Sequence, residues 1–210
     1  MSLVSFKLLS DPYSIEISGS DFNYNSLKSF YKVLQNLNKK DNLQNVKIIG
    51  NFNTKLLVKD IFNKRKQIEI DKLLLLLQAI TKTIEDSNII FFAVIKGVAK
   101  GPTLEIALAC NFIKAKEDVI LNLNFVDNGY IPFFGTIQRL LRILGYKKTL
   151  QVLLVDKIIN FEEADNMKIV NNKSDHITRR NSPLWDNTFT NTFIFFNSKI
   201  HSAYKKCKPE

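Results

Sequence analysis

Thiols, imidazoles and carboxylates are the side chains from which a catalytic or metal-binding site is built, and the first two are scarce here: Cys110, Cys207, His176 and His201. Both histidines stand in the polar C-terminal part of the chain. Neither has a second ligand at metal-binding spacing or a partner for a nucleophilic dyad, so surface roles and no metal site are expected. Cys110 closes the apolar run ALAC and is expected as a buried thiol, Cys207 as an exposed tail residue, and the two are not expected to pair. Among the carboxylates, Glu105 is set in the apolar segment GPTLEIALAC, where the dipole of a starting helix would favour an acid in its first turn. Asp127, in FVDNGY, reads as an exposed loop aspartate, with the alternative that it shares a face with position 125, two residues before it, and supplies a carboxylate there.

The elements that would carry these groups alternate. Short strands are expected at 4–9 and 13–17, split by the Asp11-Pro12 turn signal. Leu27, Phe30, Tyr31, Leu34 and Leu37 recur at helical steps and predict a helix over 26–39, capped by Asn25. A buried strand over 46–49 ends at Gly50, and a strongly apolar helix follows over 71–87. The unbroken run 89–95 predicts a strand covered on both faces. A helix from Leu104, a strand at 119–123 and helices at 136–144 and 147–155 complete an α/β pattern. Residues 1–170 are expected as the core, and 171–210 as a short extension of the same domain.

With 210 residues and 45% hydrophobic side chains, the chain can bury one substantial core. Its longest apolar runs fall short of the roughly 20 residues that cross a bilayer, so no membrane partner is expected. The first residues, MSLVSFKLLSDPY, lack a signal-peptide pattern, and a cytoplasmic location is the expectation. The net charge of +10 would suit an anionic partner. Basic clusters at 64–66 and 205–206 come with no nucleic-acid-binding signature, and the phenylalanines sit in apolar runs, so nucleic acid is not the expected partner.

Four segments between Ile89 and Asn171 carry a likeness. They are IIFFAVIKGVAKGPTLEIALAC, FIKAKEDVILNL, GYIPFFGTIQRLLRILG and LLVDKIINFEEADNMKIVN. In order and spacing they resemble the strand, glycine turn and helix, the next strand, the G-x-I-P-G-x-G-G-T-Q-R-L segment and the L-L-T-G-x-x-I-x-A-x-E-A-x-x-x-G-L-V-N segment of the crotonase superfamily, the enoyl-CoA hydratases and isomerases. The resemblance implies a spiral of strand-strand-helix (ββα) units with a shortened C-terminal helical region. It also implies an acyl thioester of coenzyme A, or of a carrier protein, as the ligand, with no other cofactor.

In that family two backbone amides polarise the thioester carbonyl, one from F-x-A-G-A-D and one from the middle glycine of G-G-G-x-E. Carried onto FNTKLLVKD and GPTLE, the first donor falls on Leu56 and the second on Pro102, which has no N–H. Gly101 keeps the first glycine and Thr103 replaces the third. Losing one such donor typically lowers the rate by about 10²–10³-fold. Of the two carboxylates that handle water, Glu105 matches the first, whereas the second falls on Phe125, which cannot move a proton. Phe133 and Phe134 replace Gly-Ala and would narrow or fill the acyl pocket. Gln138 and Arg139 match the family's Q-R, a helix contact without catalysis.

The resemblance therefore implies an acyl-thioester-binding protein with hydration lost or strongly reduced. An alternative is altered chemistry, since LNFVDNGYIPFFGT is similar to the N-F-x-x-G-x-x-P-x-F-G segment of polyketide β-branching decarboxylases, for which Lys55, Lys59 and Tyr130 are loose candidates. A third is an RNA-binding relative. Family trimers and hexamers use C-terminal helices for which little chain remains beyond Val170.

Overall fold

The computed structural model of the chain describes residues 2–10, 13–56, 67–123, 132, 134–156 and 158–171. All elements below belong to one compact unit, Met1–Ser174. The expected extension lies outside the described residues apart from Asn171.

After strand β1 (Ser5–Ser10) the chain repeats one unit four times. The units are β2 (Tyr13–Ser18), β3 (Asp21–Phe22) and α1 (Tyr24–Asn38); β4 (Asn45–Gly50), β5 (Lys55–Leu56) and α2 (Gln67–Glu85); β6 (Ile90–Ile95), β7 (Val98–Lys100) and α3 (Gly101–Ala109); and β8 (Phe112–Ala115), β9 (Ile120–Asn122) and α4 (Thr136–Gln151). A π-helical turn (Val152–Asp156), β10 (Ile158–Asn160) and α5 (Phe161–Asn166) follow.

The first strand of each unit joins one sheet, in the order β1-β2-β4-β6-β8 and parallel apart from β1; the second strands form β3-β5 and β10-β9-β7. A bridge between Asn53 and Lys100 links the two smaller groups. This is the expected spiral of strand-strand-helix units. Alternate side chains of the large sheet make the core: Ile15 and Ile17, Val46 and Ile48, Phe91, Ala93 and Ile95, and Ile113 are all buried. Against them α1 sets Leu27, Phe30, Leu34 and Leu37, each fully buried, which is the stripe its spacing predicts.

Two local expectations are corrected. The cap of α1 is Asn23, not Asn25. The Asn23 side chain accepts from Ser26 N–H (2.8 Å) while Ser26 Oγ accepts from Asn23 N–H (2.9 Å). Only a residue three before Ser26 can close that reciprocal box. Strand β6 is covered on one face only. Phe91, Ala93 and Ile95 reach the core, whereas Val94 is exposed and Phe92 stacks on Phe112 of β8 at 5.4 Å. A central strand is hydrogen-bonded on both edges, but its side chains still alternate between faces. The expected division near residue 145 holds, because Gly145 (φ 74°, ψ 171°) breaks α4 into two helical pieces.

Candidate active site

Strand β7 runs straight into α3, and backbone hydrogen bonds fasten that junction to the stretch before β5. Lys100 N–H donates to Phe52 O (2.8 Å) and Thr54 N–H to Lys100 O (3.3 Å); on the opposite edge Lys55 N–H donates to Ser20 O (2.9 Å). Amides alternate in direction along extended chain, so Leu56 N–H points to the same side as that of Thr54, toward the start of α3. The turn into the helix is tight. Gly101 has φ +67°, and a Cβ there would lie 2.0 Å from Thr54 O. Only glycine fits such a position. Pro102 follows in the first turn, where the helix itself does not need its missing N–H.

The next amide is already used. Thr103 N–H donates to Thr54 Oγ1 (3.2 Å), and the two threonine hydroxyls lie 2.7 Å apart. Both residues are buried, and each hydroxyl also reaches Lys100 O, at 3.5 Å from Thr54 and 3.4 Å from Thr103. The start of α3 thus carries a proline and an amide bonded inside the protein.

Glu105 lies one turn further in and is fully buried. Because α3 starts at Gly101, Glu105 is in its second turn, which corrects the first-turn dipole reading. Its setting is the start of a different helix. Oε2 accepts from Phe134 N–H (3.2 Å) and Thr136 Oγ1–H (2.8 Å), directly at the N-terminus of α4. The cap residue there, Gly135, is left-handed (φ 81°) and makes no side-chain cap bond. The carboxylate of α3 therefore supplies the anion that the start of α4 favours. Phe134 itself is fully buried.

One turn along α4, Arg139 completes the junction. Its Nη1 donates to Phe134 O, and its Nε pairs with Glu85 Oε1 of α2 at 2.8 Å. Arg139 is therefore a packing and pairing residue, as expected of the Q-R match. Cys110, at the end of α3, is half-buried, not fully enclosed as expected. Its Sγ–H donates to Ile106 O (3.4 Å), and it lines a cavity of about 230 Å³ with Glu85, Arg139 and Arg142. Desolvation pushes the thiol up to about 12 from its ordinary 9.0, opposed by the Arg139 charge.

Of the residues singled out from the sequence, Gly101, Pro102 and Glu105 stand in α3, Leu56 ends the stretch whose Thr54 touches Gly101, and Phe134 lies against Glu105. Lys55 is engaged elsewhere, 3.4 Å from Asp21 of β3. Asp21 is buried, and its carboxyl is held below the ordinary carboxylate value first by the Ser20 hydroxyl (2.8 Å) and further by Lys55, against the opposing effect of burial. Phe125, Phe133, Asp127, Tyr130, Lys59, Cys207 and both histidines lie outside the described residues. Among the described residues no group of His, Cys, Asp and Glu is placed to hold a metal, and no helix is long and apolar enough to cross a membrane. Thr54 and the Glu85–Arg139 pair were not singled out from the sequence. When FNTKLL is set against F-x-A-G-A-D, Thr54 falls on the first alanine and Leu56 on the second, so a signal for Thr54 was present.

The family model described as enoyl-CoA hydratase/isomerase matches residues 28–175. The chain belongs to the enoyl-CoA hydratase/isomerase family. Its similarity to full sequences is confined to short stretches. It is 33% identical over 93 residues to the peroxisomal fatty acid beta-oxidation multifunctional protein AIM1 of Arabidopsis thaliana, covering 44% of this chain and 13% of that protein. It is 36% identical over 93 residues to the "Probable enoyl-CoA hydratase" of Bacillus subtilis (strain 168), covering 44% of this chain and 36% of that one. The chain therefore spans only a minor part of these relatives. In three dimensions it resembles the enoyl-CoA hydratase from Bacillus halodurans, with a TM-score of 0.65 at 20% identity over 80% of this chain and 71% of that chain. At that identity the likeness is one of fold, and the fold is that of the crotonase superfamily.

Proposed function

We propose that this member of the enoyl-CoA hydratase/isomerase family binds an acyl thioester and has lost, or nearly lost, the ability to hydrate it. The observation that carries the reading is the start of α3. Pro102 has no N–H to give, and the first amide beyond it, Thr103, is bonded to Thr54 at 3.2 Å. A thioester carbonyl meeting this end of the site would find Leu56 N–H as its backbone donor, and the enolate-like charge that develops during hydration would be stabilised on one side only. Removing one such donor costs about 2.7–4 kcal/mol of transition-state stabilisation. Substitution of the second carboxylate by Phe125 acts in the same direction, because addition of water needs a base and an acid around it. Coenzyme A and a carrier-bound thioester share the chemistry recognised, and relatives named for fatty acid beta-oxidation favour coenzyme A.

Calorimetric titration of the full chain with butyryl-CoA tests the binding half of this reading. A saturable, stoichiometric heat is expected. Absence of binding at millimolar ligand would sink the thioester site.

A further inference from the structure

The hydroxyl pair at the start of α3 does more than fill space. We infer that Thr54 is the residue that decides how strongly this site grips a thioester carbonyl, because its hydroxyl occupies, as an internal ligand, the first helix amide that remains at this end once Pro102 offers none. This inference rests on the acyl-thioester reading above.

The first amides of a helix have no partner within the helix and are its natural acceptor-binding groups. In α3 the start is closed from within. Thr103 N–H is taken by Thr54 Oγ1 (3.2 Å), Thr54 Oγ1 and Thr103 Oγ1 share a hydrogen bond (2.7 Å), and Lys100 O is within reach of both hydroxyls. One amide and two hydroxyl protons are matched by two hydroxyl oxygens and one carbonyl, so each donor has an acceptor without any ligand. Thr54 and Thr103 are 2% and 0% exposed, so water does not compete for these bonds.

Position makes Thr54 the controlling member. It stands two residues before Leu56 in the same extended stretch, and its own N–H is directed at Lys100 O on the side that Leu56 N–H also faces. An oxygen accepting from Leu56 N–H would lie on that same side, one two-residue repeat along the strand from the Thr54 amide. Removing the Thr54 hydroxyl releases Thr103 N–H toward the same space and gives the carbonyl a second donor.

The test compares two ligands that differ only at the carbonyl: butyryl-CoA and its thioether analogue, S-butyl-CoA. In the wild type their dissociation constants should agree within about threefold, since a single net hydrogen bond is worth little. T54A should raise the preference for the thioester to about tenfold, the isosteric T54V should shift it in the same direction by a smaller factor, and T54S, which keeps the hydroxyl, should retain the wild-type ratio. T54V also covers the case in which T54A fails to fold. Binding of both ligands with an unchanged ratio in T54A and T54V would overturn the inference while leaving the thioester reading intact. Failure of both ligands to bind any of these proteins would overturn the thioester reading and this inference with it.

Discussion

Successive turns of one helix are put to opposite uses. At the start of α3, this chain has a proline and a threonine amide that is bonded internally. One turn on, the Oε2 of Glu105 is held by Phe134 N–H and the Thr136 hydroxyl. The difference shows how one short helix bonds an amide of its first turn internally and lends the carboxylate of its second turn to the start of another helix. Glu105 supplies the start of α4 with the acceptor that Gly135 does not provide, whereas nothing in the helix itself requires an N–H from residue 102.

The strongest way to break this contrast is to remove the carboxylate. Glu105→Ala leaves a buried amide and a buried hydroxyl without an acceptor and should lower stability by about 3 kcal/mol in urea denaturation. Glu105→Gln keeps an acceptor oxygen and should cost roughly half as much. An Ala variant as stable as the wild type would show that Glu105 is not the anchor of α4. Next in size is Gly101→Ala, which places a methyl against Thr54 O at a backbone angle L-residues avoid. A loss of about 2 kcal/mol is expected from that strain. If the melting temperature does not move, the close approach that builds the start of α3 is wrong.

The far end of α3 gives the smallest effect on stability and a clear chemical one. With its thiol raised from 9.0 to about 12, native Cys110 should carry roughly a thousandfold less thiolate at about pH 8 than an ordinary cysteine. Peptide mapping after iodoacetamide treatment should therefore find it unmodified in the native protein and alkylated in urea. The sign of the linkage follows: the folded state holds this proton more tightly, so stability is unaffected below about pH 9 and falls as pH rises toward 12. Rapid native alkylation would contradict the desolvated thiol.

The alternation of elements and the four segments between Ile89 and Asn171 made the fold legible, because apolar periodicity and glycine turns are local signals. Gly145 marked the break in α4 for the same reason. Local signals failed where a partner distant in sequence decided the outcome. The setting of Glu105 depends on a turn that begins at Phe134, and the use of Thr103 N–H depends on Thr54. The cap of α1 was missed because Asn23 and Asn25 have equal intrinsic preference, and only the reciprocal bond with Ser26 separates them. The exposed face of β6 was missed because an unbroken apolar run does not reveal which alternate residues are covered. In the site, Pro102 was readable from residue type alone, since a missing N–H requires no coordinates.

The central claim is that the family's fold and thioester site outlast its hydratase chemistry. Steady-state hydration of crotonyl-CoA by this chain, followed by loss of the enoyl absorbance, tests it most directly. The rate that the proposed loss of a donor at Pro102 implies is undetectable, or at least about 10²–10³-fold below that of an active hydratase. Turnover comparable to an active hydratase would contradict the account, because it would require a second oxyanion donor and a second water-handling group where the sequence places Pro102 and Phe125.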